Sequence, residues 1–384
     1  MKSVKLIHEN LNAGGGAERL AVASLETLKE MNCSIDLITF TEPNWQQLER
    51  IFGISKLRSF VNSVVKVDIN FLLGKGNQTE SSEHNQYDLV MNTHGDILPA
   101  NMLAERGKTS KFVTYCHYPL VPELIRNLKY DTVLRNFMEM SKYRYSSLEK
   151  LRQKALAVYN QMMNNSTVLT NSVFSSNAVH SLYPSINPKI IYPPVDIEFF
   201  SRVVSSDFRE DRIIVLGRFN PDKNIELAIE VARLLKAMDF KFEMSIVGNI
   251  SKSYYPYYHY LEKLIKKYGL SETIELKTNL DINNLLDLFG KSKVLFHPTI
   301  GEPFGICVAE AMSAGLMPVV PSFGGNTEFV PQHLRYSNNE EAVKIIIRSM
   351  DATLQQRAIM NGSVKKFAKR RFKHSLKSLL NKVW

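Results

Sequence analysis

"RIIVLGRFNPDKNIELAIEVARLLKAM", residues 212–238, reads as a strand, a loop and a helix in direct succession. Similar alternation runs on either side of it. Downstream come the strands "FEMSIVG" (242–248), "TIELKT" (273–278), "VLFHP" (294–298) and "MPVVP" (317–321). Helices are expected between them, from about Tyr257 to Lys267, over 282–292, and from near Phe304. Upstream, "VKLIH" (4–8), "SIDLITF" (34–40), "YDLVMNTHGD" (87–96), "KFVTYCHYP" (111–119) and "TVLTNSVFSSNAV" (167–179) form an earlier series of the same kind. Strands alternating with helices predict parallel sheets. The two series meet near residues 192–211, where Pro193, Pro194, Ser205 and Ser206 mark a joint. The expected fold class is therefore α/β, with two doubly wound, Rossmann-like domains facing each other across a cleft.

Length and composition agree. A chain of 384 residues favours two domains of ordinary size. With 44% hydrophobic and 22% charged residues it is neither disordered nor a membrane bundle. No apolar stretch is long enough to span a bilayer, and the apolar run at the start is too short for a signal peptide. Cys33, Cys116 and Cys307 are scattered, without a CxxC pair, which argues against a disulfide framework or a cysteine zinc site and fits a reducing compartment. The net charge of +10 is uneven: Lys365–Trp384 holds eight basic residues and no acid, so nucleic acid, anionic lipid or a phosphorylated ligand are all conceivable partners. Solvated helix faces would account for the same charge.

The polar motifs fall where such folds bind ligands, beyond the carboxyl ends of strands. "GGGAER" (14–19) separates the first strand from its helix. Gly15 and Gly16 let the backbone approach a ligand, and the helix start offers N–H groups to an anion. The motif is not GxGxxG, and a plain tight turn is the alternative. In "GRFNPDKN" (217–224), Arg218 and Lys223 bring two cations to a helix start, a placement the helix dipole disfavours unless an anion offsets it. A diphosphate would do so; an exposed basic loop is the other reading. Asp222 and Asn224 are candidate caps for the helix that follows.

"TIGEPFGICVAEAMSAG" (299–315) carries Glu302 just before the expected helix and Glu310 about two turns on. They are either a cap with a solvated side chain, or two carboxylates for ligand hydroxyls. A carboxylate among apolar neighbours is costly without a partner. "PSFGGNTEFV" (321–330) places Gly324 and Gly325 at a further strand end, either as N–H donors for an anion or sugar or as an ordinary turn. His94 and His117 end two strands of the first series, and no third ligand is spaced for a metal. There is no P-loop, no G-x-S-x-G, and no D-x-D pair to hold a cation on a diphosphate.

Taken in order, "GGGAER", "GRFNPDKN", "EPFGICVAE" and "PSFGGNTE" resemble the retaining glycosyltransferases of family 4, whose fold is GT-B. The E-x7-E and R-x4-K elements are the specific parts, and the resemblance runs from about residue 4 to the C-terminus. "TYCHYPLVPE", "TNSVFSSNAV" and "IIYPPVD" look like the mannosyltransferases of lipid-linked oligosaccharide (asparagine-linked glycosylation) assembly. The resemblance implies an N-terminal acceptor-side domain over 1–200, a nucleotide-sugar domain over 208–365, and a basic helix over 366–384 packing back on the first. It places Arg218 and Lys223 on the donor diphosphate, and Glu302 on the sugar hydroxyls with the N–H groups of Phe304, Gly305 and Ile306. Glu310 would hold the ribose, Gly15 and Gly16 would approach phosphate and acceptor, and His117 would lie beside the sugar.

The implied activity is transfer of α-mannose from GDP-mannose to a polyprenyl-linked glycan. UDP-glucose or UDP-N-acetylglucosamine are the alternative donors, with a lipid or soluble acceptor. Arg218, Lys223 and helix N-termini would stabilise the leaving diphosphate, with no metal and no cofactor. No protein nucleophile stands out, which favours front-face transfer. An anionic membrane surface becomes an expected partner, at its cytosolic face. Residues 121–161, with Leu124, Leu128, Tyr130, Leu134, Phe137 and Met138 among their cations, suit an interfacial helix. "YYPYYHY" (254–260) suits either membrane contact or domain packing. A non-catalytic nucleotide- or nucleic-acid-binding module would lack one of Arg218, Lys223, Glu302 and Glu310, or would show a base-stacking motif; all four are present and no nucleic-acid signature is.

Overall fold

The computed structural model describes residues 1–67, 87–95, 111–120, 148–206 and 208–384. It divides into two compact units. The first comprises Met1–Glu49, Ile54–Tyr192 and Lys373–Trp384; the second comprises Arg50–Gly53 and Pro193–Phe372. Each is built on one parallel sheet.

The first unit has seven strands: β1 (Ser3–Ile7), β2 (Ser34–Thr39), β3 (Ser63–Lys66), β4 (Leu89–Asn92), β5 (Phe112–Cys116), β6 (Thr167–Thr170) and β7 (Lys189–Ile190). Their order in the sheet is β3-β2-β1-β4-β5-β6-β7. β1 and β4 are fully paired, with Ile7 opposite both Ile38 and Asn92. Central strands of a parallel sheet are covered on both faces and so read as continuous apolar runs. Here Val4, Leu6 and Ile7, and Leu89 to Met91, are all buried. Helix Gly16–Glu30 packs its Leu20, Leu25 and Leu28 into this core. At the far end of the chain, Lys373 and Lys377 of helix Lys369–Val383 both pair with Glu30.

The second unit has six strands: β8 (Arg212–Leu216), β9 (Glu243–Gly248), β10 (Ile274–Thr278), β11 (Val294–Phe296), β12 (Met317–Pro321) and β13 (Arg335–Tyr336). The order is β10-β9-β8-β11-β12-β13. Helix Ile225–Ala237 follows β8, and helix Ile306–Ser313 follows β11. Arg209 ties this unit together from within. Its guanidinium donates to the carbonyls of Val203, Phe289, Ser292 and Ala314, collecting acceptors near two helix C-termini.

Both sheets reverse direction of winding beside their first strand: between β1 and β4 in one, between β8 and β11 in the other. Chain leaving two such neighbouring strands in opposite directions opens a crevice, the usual ligand site of this architecture. The loops after β1 and β4 carry Gly15, Gly16 and His94; those after β8 and β11 carry Arg218, Lys223 and Glu302.

Several details differ from the sequence reading. The helix of the E-x7-E segment begins at Ile306 rather than near Phe304, and that of the tyrosine-rich segment at Tyr255 rather than Tyr257. Helix Trp45–Phe52 and the short strands β3 and β13 were not anticipated. Of the segment 121–161, residues 121–147 lie outside the described residues, and helix Leu148–Asn164 covers the remainder. Within "YYPYYHY", Tyr257 and Tyr258 pack on their own unit, on Glu226 and Phe219, while Tyr254, Tyr255 and Tyr260 are exposed.

Candidate functional site

In the second unit the loops after β8 and β11 are laced together. Asn224 adopts the left-handed conformation at the start of helix Ile225–Ala237, and its side-chain amide donates to the Pro298 carbonyl. The Thr299 hydroxyl donates to the Lys223 carbonyl. Neither Asp222 nor Asn224 caps the helix through its side chain; the loop spends Asn224 on its neighbour instead. This lacing aims Lys223 across at Glu302, with Nζ 2.9 Å from Oε2. Glu302 therefore does not cap the helix that follows. That position belongs to Gly305, whose φ of 88° only glycine adopts without strain.

His297, the first residue past β11, is 2% exposed, and its Nε2 lies 3.7 Å from Glu302 Oε2. Burial pushes the Glu302 carboxyl up, but Lys223, His297 and Arg218 together hold it below the ordinary carboxylate value. The Glu302 charge in turn raises Lys223 against burial. Burial lowers His297 to about 4, so its imidazole is neutral at physiological pH. The outcome is a formed ion pair beside a neutral histidine, with Arg218 exposed at the rim. Such a pair is ready to exchange partners. An anion arriving at Lys223 and a hydroxyl arriving at Glu302 replace one charge-assisted bond with two.

Glu310 sits on helix Ile306–Ser313 and is only 4% exposed, so it is not the solvated side chain that the sequence left open. Phe304 is buried in a ring cluster with Phe329 and Phe367. The N–H groups at the start of a helix have no partner within it, which leaves those of Gly305 and Ile306 at this end for a ligand. Gly324 and Gly325 require a correction. The Gly325 N–H donates to the Glu302 carbonyl at 2.7 Å, and a Cβ at Gly325 would stand 1.8 Å from the Pro303 carbonyl oxygen. The Gly325 N–H is thus not open to a ligand. These glycines let the loop after β12 lie directly on the loop that carries Glu302.

In the first unit, Gly15 caps helix Gly16–Glu30, but its N–H is already bonded to the helix's own Glu18 Oε2 at 2.7 Å. Glu18 is 4% exposed and holds the Gly15 N–H, so that donor is not open to an anion. His117, just past β5, bonds through Nε2 to the Thr93 carbonyl at 3.0 Å. A carbonyl only accepts, so Nε2 carries the proton and Nδ1 keeps its lone pair. Burial lowers its pKa to about 4. His117 is thus fixed as a neutral acceptor.

Sequence reasoning passed over His8, Glu18 and His297. Two signals were available. His8 and His297, like His117, directly follow a strand, and Glu18 stands three residues after Gly15, the spacing of a capping box.

Residues 196–366 match the family model of glycosyl transferases group 1. The second unit carries a group 1 glycosyltransferase domain. Curated relatives extend the likeness beyond it. The GDP-Man:Man(3)GlcNAc(2)-PP-Dol alpha-1,2-mannosyltransferase of Homo sapiens is 24% identical over 99% of this chain and 87% of its own length. That of Dictyostelium discoideum is 22% identical over 86% of this chain and 73% of its own length. Among solved structures, Anabaena HepE in complex with UDP superposes with a TM-score of 0.70 at 19% identity, and a Thermosynechococcus elongatus sucrose-phosphate synthase with 0.72 at 15%; the first covers 100% of both chains, the second 100% and 99%. These establish the fold, two Rossmann-like units of the GT-B type. The group 1 domain contains Arg218, Lys223, Glu302, Gly305, Ile306 and Glu310. Among the described residues no helix is long and apolar enough to cross a membrane.

Proposed function

We propose that this group 1 glycosyltransferase moves α-mannose from GDP-mannose to a polyprenyl-diphosphate-linked glycan, with retention of configuration. The observation that carries the chemistry is the Lys223–Glu302 pair at 2.9 Å, in the loops after β8 and β11 of the family domain. Support for mannose and a lipid-linked glycan comes from the relatives, whose names specify GDP-mannose and a dolichol-diphosphate glycan.

Donor binding would turn Lys223 and Arg218 to the diphosphate and release Glu302 to the sugar hydroxyls. The N–H groups of Phe304, Gly305 and Ile306 would lie beside them, and Glu310 would take the ribose. As the glycosidic bond breaks, negative charge grows on the terminal phosphate. Fixed cations and a helix start are most valuable where charge develops, and we assign that stabilisation to Arg218, Lys223 and the start of helix Ile306–Ser313, without a cation on the diphosphate. His117 would accept a hydrogen bond from the sugar through Nδ1. Gly16 would approach the phosphate; Gly15 would do so less directly, since Glu18 holds its N–H. With no side-chain nucleophile assigned, the acceptor hydroxyl would attack from the face the diphosphate leaves. We further propose that the protein works peripherally at the cytosolic face of an anionic membrane, using its basic C-terminal helix and residues 121–161.

The test is incubation of purified protein with labelled GDP-mannose, UDP-glucose and UDP-N-acetylglucosamine in the presence of polyprenyl-linked glycans. Labelled glycolipid from GDP-mannose alone is expected. Product from a UDP-sugar instead would replace the donor assignment. Unchanged affinity for nucleoside diphosphate in Arg218→Ala would overturn the diphosphate assignment.

A further inference from the structure

The first unit holds a polar cluster that the transfer reaction does not use. His8, directly after β1, is fully buried; Glu18 lies on helix Gly16–Glu30; His94 is two residues past β4. One ligand atom from each lies within 4.8 Å of the other two. The contacts around them set which ring atoms face the cluster. The Thr93 hydroxyl lies 3.1 Å from both the Ile7 carbonyl and His8 Nδ1, so Thr93 holds Nδ1. His8 Nε2 is the ring nitrogen turned to the cluster. It makes no hydrogen bond of normal length and lies 3.5 Å from Glu18 Oε1. His94 Nε2 lies 2.8 Å from the Glu9 carboxylate, which only accepts, so Nε2 carries its proton. His94 Nδ1 is a buried lone pair, again without a hydrogen-bond partner.

We propose that His8 Nε2, His94 Nδ1 and Glu18 bind a zinc ion. Two imidazole nitrogens and one carboxylate form a three-ligand zinc set that leaves a fourth position for water or another oxygen ligand. The imidazole pair selects zinc over magnesium or calcium, which prefer oxygen. The outer contacts are those a metal site needs. His8 Nδ1 is held by Thr93, the His94 N–H by the Glu9 carboxylate, and the second oxygen of Glu18 by the Gly15 N–H. Tetrahedral zinc places neighbouring ligand atoms about 3.4 Å apart, so the cluster closes by roughly an ångström on binding. The proposal goes beyond the transfer reaction, and its readout is metal binding, so the two readings fail separately.

The experiment titrates zinc into the full chain, stripped of metal, against a chromogenic chelator. One zinc per chain is expected. Glu9→Gln changes only a half-exposed outer residue and should weaken binding about 10- to 100-fold by loosening His94. His94→Ala and His8→Gln remove ligands and should weaken it further, with circular dichroism confirming the fold of each variant. Should His8→Gln fail to fold, Glu9→Gln and His94→Ala decide. Absence of stoichiometric zinc binding in the wild type, or equal binding in Glu9→Gln and His94→Ala, overturns the site.

Discussion

The two units share one sheet plan and place polar side chains at the same point in it, yet they solve opposite electrostatic problems. In the second unit a lysine meets a carboxylate, and the pair neutralises itself. In the first, two histidine rings and a carboxylate converge in place of a cation and an anion. The difference teaches that a topological switch point delivers side chains to one place without specifying their chemistry. What collects there depends on the residue that each strand happens to end with.

The comparison breaks most sharply at Lys223. If the ion pair is the working centre, Lys223→Ala should lower kcat about 10²- to 10³-fold, the usual cost of one preorganised group facing developing charge. The substitution leaves Glu302 beside a neutral histidine, so Lys223→Arg should recover part of the loss. Steady-state rates with the preferred donor measure this, and a change confined to KM would mean that the pair binds donor without favouring the transition state.

Next comes the packing that holds Glu302. Gly325→Ala pushes a methyl group into the Pro303 carbonyl and should cost about 1–3 kcal/mol as the two loops separate. Denaturant midpoints read the cost. A loss of donor affinity without loss of stability would instead make the glycine a ligand contact.

A smaller effect concerns pH. His297 titrates at about 4 in the fold and near 6.5 when unfolded. A lowered histidine pKa contributes stability that is complete above 6.5 and is lost as pH falls from 6.5 towards 4. The expected slope is about 1.4 kcal/mol per pH unit. His297→Gln should flatten the acid limb of the stability curve by that much. The Lys223–Glu302 pair persists to lower pH, because its carboxyl lies below the ordinary value. An unaltered acid limb in His297→Gln would mean that this histidine is not held neutral.

The smallest expected change is in the response to divalent cations. With the diphosphate assigned to Arg218 and Lys223, adding Mg²⁺ or Mn²⁺ should alter turnover less than about twofold. Strong dependence on either would move the second unit's chemistry onto a metal and erase the contrast with the first.

Much of this molecule was legible in one dimension. Local chain order settles a βα unit, and the motif strands, with the helix Ile225–Ala237, fall close to where their apolar runs predicted. β3 and β13 escaped because their residues are few, so they carry little pattern. Arg218, Lys223, Glu302 and Glu310 were legible as candidates because each sits in a short motif of fixed spacing. Their bonds were not. Glu302 could equally have capped its helix, and Gly325 could have offered its N–H to a ligand. Only the lacing of the loops after β8, β11 and β12 decided that Glu302 pairs with Lys223 and that Gly325 serves packing.

The sequence by itself determined two α/β series, their motif-bearing loops and a resemblance to the family 4 glycosyltransferases, because helix and strand periods and short motifs are local properties of the chain. The tertiary structure decided which charges meet, which tautomer His117 holds, and that His8, Glu18 and His94 converge. Those depend on strand order, which brings β1 beside β4 across a long stretch of intervening chain, and no spacing along the sequence encodes that neighbourhood.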